Sequence, residues 1–450
     1  MVLNRRDGLK AKLDWRYWPS TPALANFDTS ALLEHARHPE LEDHQHIAWG
    51  LAQCEGTAGK VAAVDVLDVV GTDVTWKSGI RDDELEKMTQ VHRKTAEAPP
   101  PARSLSVFFL STLESRAGWL PGNFSICART LRILQQAGLS STILDTLFAK
   151  EGVWSKMGNQ CFTENDANGA LDNFEMCYRY VCGWDTGFGF TQLLRTRSQT
   201  IYFCINYPSQ ALKRFKMYLD RDVKFAYRGF FLDALSADEC LREWQLDIGE
   251  RRRRLLEHER SYSDNIDFNE ATKQLHKLSY DWNTLSQDCR DQGEQLAFLS
   301  RTYEKYMRRL CDAGNAWDVD KSHDMRETFE VLKSQCDNHY RWTQVYKERT
   351  NIRINLLFHL SAQRESRTST QIAASNAIIA EQTQRDSASM ITMAAVTMLF
   401  LPGTFISAIL STTFFDYGDD GLSVSRKWWI LPASTIPTTI GVFAVWLAWR

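Results

Sequence analysis

Two stretches near the C-terminus break the amphipathic texture of the chain. Met390–Phe415 reads MITMAAVTMLFLPGTFISAILSTTFF and carries no charge over 26 residues. As a helix rising ~1.5 Å per residue it would reach about 39 Å, more than a hydrocarbon core of ~30 Å. A second uncharged run, Trp428–Trp449, follows a 12-residue polar loop. The pattern predicts a transmembrane hairpin, with Trp428, Trp429, Trp446 and Trp449 as interfacial anchors at both ends of the second span.

Upstream of the hairpin, 87 consecutive residues from Asn315 to Leu401 include neither Gly nor Pro. An unbroken helix there would run roughly 130 Å and could not stand alone in water. Phe329, Leu332, Cys336, Val345, Ile352, Leu356 and Leu360 are spaced mostly by 3, 4 or 7, which reads as one apolar face. Self-association through that face is the economical expectation. Between Ser361 and Ser389 the texture turns polar, with 14 of 29 residues Ser, Thr, Asn or Gln. Every seventh residue gives Ser369, Asn376, Thr383, Met390, Thr397, Thr404 and Ser411, a column that continues through the span. The column four further on is small: Ala373, Ala380, Ser387, Ala394, Leu401 and Ala408. A single hydroxyl in a membrane helix commonly bonds back to its own i−4 carbonyl. A column in register over six heptads fits copies gathered round an aqueous pore. Pro402 and Gly403 predict a local kink or a close helix approach.

The first 235 residues predict a mixed α/β unit. Val61–Val70, Ser106–Leu110, Ile201–Ile205 and Val223–Tyr227 read as strands, and Ala128–Ala137 and Ser141–Ala149 as helices. Residues 236–314 predict a helical hairpin, broken near Gly249 or Ser261–Asn265. Within it, Arg251–Arg254 reads as a solvated, salt-bridged face.

Net charge of −3 argues against a nucleic-acid binder. The N-terminal stretch has no apolar core of the kind export signals carry, so ten scattered cysteines, Cys177 and Cys182 among them, are expected as reduced thiols. No signal and two spans together place both termini in the cytosol, with the plasma and vacuolar membranes equally open. His35, His38, His44 and His46 form a cluster that zinc could use, though a surface segment is the simpler reading. Gly59-Lys60 lacks P-loop spacing, and neither HExxH nor a catalytic triad emerges, so neither an enzyme nor a cofactor is expected. Asp416, Asp419 and Asp420 in the loop would concentrate cations if several copies surround an axis, and three Asp on a turn are also simply good turn formers.

The run RDSASMITMAAVTMLFLPGTFISAILSTTFF, its WW-led second span and the preceding SAQRESRTSTQIA resemble the fungal branch of CorA-like divalent-cation transporters, over about residues 325–449. The resemblance implies an α+β membrane protein assembled as a pentamer. Its parts would be a cytosolic α/β domain (1–235), a helical hairpin (236–314), and a stalk helix continuing into a pore-lining first span (315–415, span 390–415). An extracytosolic loop (416–427) and an outer second span (428–450) would follow. The family closes its first span with Gly-Met-Asn, the ring that selects a hydrated cation. Ser411, Thr412 and Thr413 stand there in this chain. The family's constrictions fall on Ser387, Met390, Met393, Leu401 and Thr404, with Met390 and Leu401 as apolar gates that close by dewetting. With Thr383, Thr397, Ala408 and Ser411 these make the expected pore lining. The expected activity is passage of a divalent cation, Mg²⁺ first, through a homo-oligomeric axial pore. Replacement of the Gly-Met-Asn ring leaves a non-conducting membrane scaffold or sensor as the alternative.

Overall fold

The structure is a computed structural model. It describes residues 29–33, 36–57, 64–96, 103–111, 126–148, 157–186, 188–197, 199–260, 267–314, 317–418 and 421–449. The chain divides into two compact units, Met1–Asn355 and Leu356–Arg450.

In the first unit the longest apolar runs become the centre of a sheet. Among the described residues its strands are β1 Val64–Val70, β2 Asp73–Ile80, β3 Ser104–Leu110, β4 Gln160–Asn165, β5 Leu171–Val181, β6 Phe188–Thr196 and β7 Gln199–Ile205. Their order is β2-β1-β3-β7-β6-β5-β4. Only β3 and β7 pair in parallel, with Val107 beside Tyr202. Both faces of these two central strands are covered, which is why SLSVFFL and QTIYFCI are apolar at nearly every position. Val107, Phe109, Tyr202 and Cys204 enter one core, while Phe108, Leu110, Phe203 and Ile205 enter the other. On β5 and β6, Tyr180 faces Gly189, and a Cβ added at Gly189 would lie 2.4 Å from the Tyr180 ring. Only glycine leaves room for that ring.

The second of these cores holds α1 His44–Thr57, α2 Asp82–Ala96, α3 Ala128–Gln136 and α4 Ser141–Leu147 against the sheet. The first holds α5 Ser209–Arg221, α6 Phe231–Arg260, α7 Phe268–Asp312 and the start of α8 Met325–Phe414. The unit is therefore a helix–sheet–helix sandwich, in keeping with the expected α/β domain. Asp267 caps α7 by accepting from the amides of Asn269 and Glu270. Gly249 lies inside α6, so the helical pair is not broken there, and residues 261–266 lie outside the described residues.

Four local expectations need correction. Val223–Tyr227 is a 3-10 turn, because the Asp222 carboxylate accepts from the Lys224 amide and winds the chain out of an extended path. Arg251 is not on a solvated face: its guanidinium lies 4.1 Å from the Trp184 ring centroid and bonds Asp247 at 2.7 Å. Arg253 and Arg254 do pair with Glu257 and Glu250 one turn away, as a solvated face would. The expected single apolar face of α8 is in fact two. Phe329, Leu332 and Cys336 are buried, whereas Val345 and Ile352 are 44% and 59% exposed. Cys336 and Val345 are nine residues apart, about 900° at ~100° per residue, which is half a turn out of phase. Thr343, Tyr346 and Thr350 take the inner face instead, with Tyr346 against Trp282 at 5.1 Å between ring centroids.

The histidine segment is the fourth correction, since its described members do not form a surface strip. The His38 ring stacks on Phe162 at 3.7 Å. His46 bonds the Asp145 carboxylate through Nδ1 at 2.6 Å and the Phe148 carbonyl through Nε2 at 3.2 Å. His35 lies outside the described residues, and among those described no group of three His, Cys, Asp or Glu could hold a metal. The hydrogen bond to Asp145 raises the His46 pKa, opposed by burial. A raised value means stability that is fully present below ~6.5, the unfolded value, and lost as pH rises through the folded one. His46→Ala should therefore cost about 1 kcal/mol near pH 6, after allowing for solvent screening, and less near pH 8. Thermal unfolding of both proteins at the two pH values checks this.

In the second unit, α8 continues to Phe414 with Pro402 inside it. The expected loop 416–427 begins with a hairpin of β8 Phe415–Gly418 and β9 Gly421–Val424, and α9 Ile430–Trp449 follows.

Candidate functional site

Among the described residues two helices, the C-terminal part of α8 and α9, are long and apolar enough to cross a membrane. From Ala362 to Met393 every residue of α8 is exposed. That stretch is mostly polar, with Ile372, Ile378 and Ile379 exposed among its polar residues, and a helix so uncovered gains no stability from packing within its own chain.

Past Met390 the helix acquires two distinguishable sides. Pro402 is buried, and Ala394, Ala395, Met398, Gly403, Ile406 and Leu410 are partly covered. A Cβ built on Gly403 would lie 3.5 Å from Thr435 Cγ2 on α9, so this side meets the second span. The close approach expected of Gly403 is present there. Thr435 is a contact that the sequence reading missed, and its Oγ1 is buried without a hydrogen-bond partner. A Ser/Thr ladder at four-residue spacing, with Thr439 and Ser434–Thr438 bonding back along α9, was its visible signal.

The expected lining positions fall on the other side. Met390, Met393 and Leu401 are 71%, 72% and 63% exposed, and Thr397, Thr404 and Ala408 are exposed with them. At ~100° per residue these six occupy an arc of about 80°, centred about 160° round the helix from the covered side. Phe400 and Phe405 border the arc without entering it. Thr383 continues the arc into the polar stretch, Ser387 lies beside it at the azimuth of Phe405, and both are exposed. Ser411, Thr412 and Thr413 occupy the last turn of α8 and Asp416 lies on β8. The side chains of these four, and all of Asp419 and Asp420, lie outside what is described.

The hydroxyls of the arc have a defined polarity. Thr383 donates to the Ile379 carbonyl at 2.8 Å, Thr397 to Met393 at 2.8 Å and Thr404 to Leu401 at 3.0 Å. With its one proton used inside the helix, each oxygen offers only lone pairs to whatever it faces. Thr404 bonds three residues back, beside Pro402, which has no amide to give the Met398 carbonyl.

No family model matches the chain, and no curated protein matches it. Solved structures with some likeness include the ZntB cytoplasmic domain from Vibrio parahaemolyticus, with TM-score 0.40 and 10% identity, over 68% of this chain and 100% of that one. The CorA magnesium transporter from Methanocaldococcus jannaschii gives TM-score 0.39 and 11% identity, over 86% of this chain and 97% of that one. Full-length CmaX gives 0.38 and 13%, over 86% and 98%. At these scores and identities the likeness carries no argument, and the functional reading rests on the chain's own residues.

Proposed function

We propose that the chain is a CorA-like divalent metal cation transporter, of Mg²⁺ type, conducting through the axial pore of a homo-oligomer lined by the first span. The observation that carries the reading is the exposed arc on α8 in which Thr397, Thr404 and Ala408 alternate with Met390, Met393 and Leu401, turned away from the side that meets α9. A pentamer with both termini in the cytosol is the assembly this reading takes. Its second support is the exposed polar length of α8, which needs partners that its own chain does not provide.

The chemistry follows from the state of the hydroxyls. Water bound to a cation turns its hydrogens outward, so a hydrated ion is recognised by acceptors. Mg²⁺ releases its waters reluctantly and is suited to such a path. Threonines already donating to their own helix are acceptor-only and match that shell. Ser411, Thr412 and Thr413 would form the outer ring where the family has Gly-Met-Asn. Asp416, Asp419 and Asp420 would gather cations at its mouth, and Met390 and Leu401 would close the path when it dewets.

Reconstitution of the full chain into liposomes loaded with a Mg²⁺-sensitive dye tests the proposal. Inward flux that follows an imposed potential and is absent from empty vesicles is expected. The absence of flux for Mg²⁺, Zn²⁺, Co²⁺ and Ni²⁺ alike would select the scaffold or sensor, which the replaced selectivity ring favours.

A further inference from the structure

A polar cleft in the first unit plays no part in the conduction reading. It has a volume of about 390 Å³, within the range of small-ligand sites, and three separate segments build it. Arg103 enters just before β3, Lys224 and Arg228 come from the turn between α5 and α6, and Asp318, Asp320 and Lys321 come from the loop between α7 and α8.

Its guanidinium donors are incompletely used, while two of its three carboxylates are committed. The Nε atoms of Arg103 and Arg228 are both buried without a hydrogen-bond partner. The Arg228 guanidinium lies 5.0 Å from the Phe225 ring and 5.7 Å from the Phe231 ring. Those rings fix its plane but accept no conventional hydrogen bond, and among the described residues no ion pair is formed by Arg228. Arg103 donates through Nη2 to the Tyr227 carbonyl at 2.5 Å and meets Asp318 through Nη1 at 3.5 Å, longer than a good charge-assisted bond, and the Asp318 side chain is 69% exposed. The other two carboxylates are engaged locally. Asp320 accepts from the amide of Ser322 at 2.8 Å and from its hydroxyl, and Asp222 accepts from the Lys224 amide at 2.9 Å. Burial opposes ionisation of Asp320, yet these Ser322 bonds and the charges of Arg228 and Arg103 hold its pKa below the usual carboxylate value. An incoming ligand therefore meets an Arg228 fork with no conventional hydrogen bond and a partly used Arg103 fork, with Asp320 and Asp222 already turned toward their own loops and Asp318 beside Arg103.

We propose that this cleft binds a soluble phosphate-bearing anion, gripped by the guanidinium forks of Arg103 and Arg228 with Lys224 and Lys321 at its mouth. Planar forks suit phosphate oxygens, and the two exposed lysines add charge without fixed geometry. Occupancy would tie the 318–322 loop to the turn that carries Arg228. That loop leads directly into α8 at Met325, so the ligand would brace the first turn of the long helix.

The test is calorimetric titration of the full chain in detergent with inorganic pyrophosphate, at ionic strength held constant with KCl. Saturable binding is expected for the wild type, weakened at least ~10-fold by Arg228→Gln and unchanged by Arg252→Gln on an exposed part of α6. Should Arg228→Gln fail to fold, Lys321→Gln, at an exposed site, is read in its place and should weaken binding at least ~3-fold. No saturable heat up to about 10 mM pyrophosphate would overturn the proposal, as would equal affinity in the wild type and the variant read. Binding to vesicles bearing phosphorylated inositol lipid but not to pyrophosphate would also overturn it, by assigning the cleft to a membrane headgroup.

Discussion

Leu401→Arg is expected to abolish divalent-cation uptake while leaving the protein inserted and assembled. Leu401 sits on the exposed arc between Thr397 and Thr404, 63% exposed in the single chain. If that arc faces a shared aqueous axis, each copy adds one positive charge to a ring round the path. A divalent ion ~6 Å from one such charge meets about 1.4 kcal/mol even at the dielectric of water. Five copies would sum to roughly 7 kcal/mol, a drop in flux of more than ~10⁴-fold. Leu399→Arg is the control, since Leu399 is 52% exposed and lies about 160° round the helix from Leu401. An arginine there would face lipid or a neighbouring helix, at about 2.5–3.5 kcal/mol on insertion scales. It should lower yield in the membrane without a positive ring at the axis. The measurements are dye-reported uptake per assembled particle and the fraction of each variant recovered from membranes. Uptake by Leu401→Arg within about twofold of wild type would show that the arc has been assigned to the wrong side.

The same helix shows where sequence pattern was informative and where it failed. The two long apolar helices could be read because charge is absent over more residues than any soluble core helix needs. The arc could be read because hydroxyl and small residues recur in register. The i−4 bonds of Thr383 and Thr397 are the back-bonding that hydroxyls in such helices commonly make; what the sequence concealed was the i−3 bond of Thr404, which depends on its rotamer beside Pro402. The phase of the inner face was lost between Cys336 and Val345, since nine residues look like a continuation only when steps are not converted to angles. On the sheet, β7 stood out as an unbroken apolar run. β5 did not, because Glu175 and Arg179 interrupt it. Phe174, Met176, Tyr178 and Tyr180 nevertheless alternate in LDNFEMCYRYV, and period two would have found the strand. Glu175 is tolerated there because Gln192 and Arg37 donate to its carboxylate at 2.9 and 3.1 Å. Arg103 and Arg228 are 125 residues apart in sequence, and nothing local announces that a loop beyond α7 completes their cleft.

Asp233→Leu should destabilise the first unit by about 2–6 kcal/mol, and Asp233→Asn should remove a pH dependence that the wild type shows. Asp233 is fully buried on the first turn of α6. Its carboxylate accepts the hydroxyl of Tyr178 at 2.7 Å and that of Tyr202 at 2.8 Å, tying α6 to strands β5 and β7. Leucine would leave two buried hydroxyls without an acceptor, at about 1–3 kcal/mol each. Burial lifts the Asp233 pKa from 3.8 to about 6, although the two tyrosine bonds pull it down. The buried Tyr207 and Cys204 also lie within its electrostatic reach. A carboxyl with a raised folded pKa binds its proton more tightly folded than unfolded, so folding gains stability on acidification. The gain is complete below 3.8 and lost as pH rises through about 6. A shift of that size corresponds to about 3 kcal/mol of pH-dependent stability. Asparagine cannot ionise, and it can accept one tyrosine hydroxyl while donating to the other. Thermal unfolding of the full chain in detergent, followed by tryptophan fluorescence between pH 5 and 7.5, separates this from His46, which responds in the same direction in both proteins. The wild type should gain midpoint temperature over Asp233→Asn as pH falls. Parallel curves for the two would mean that the carboxylate ionises as freely inside the fold as outside it, and a Leu variant within about 1 kcal/mol of wild type would mean that the tyrosine pair does not depend on it.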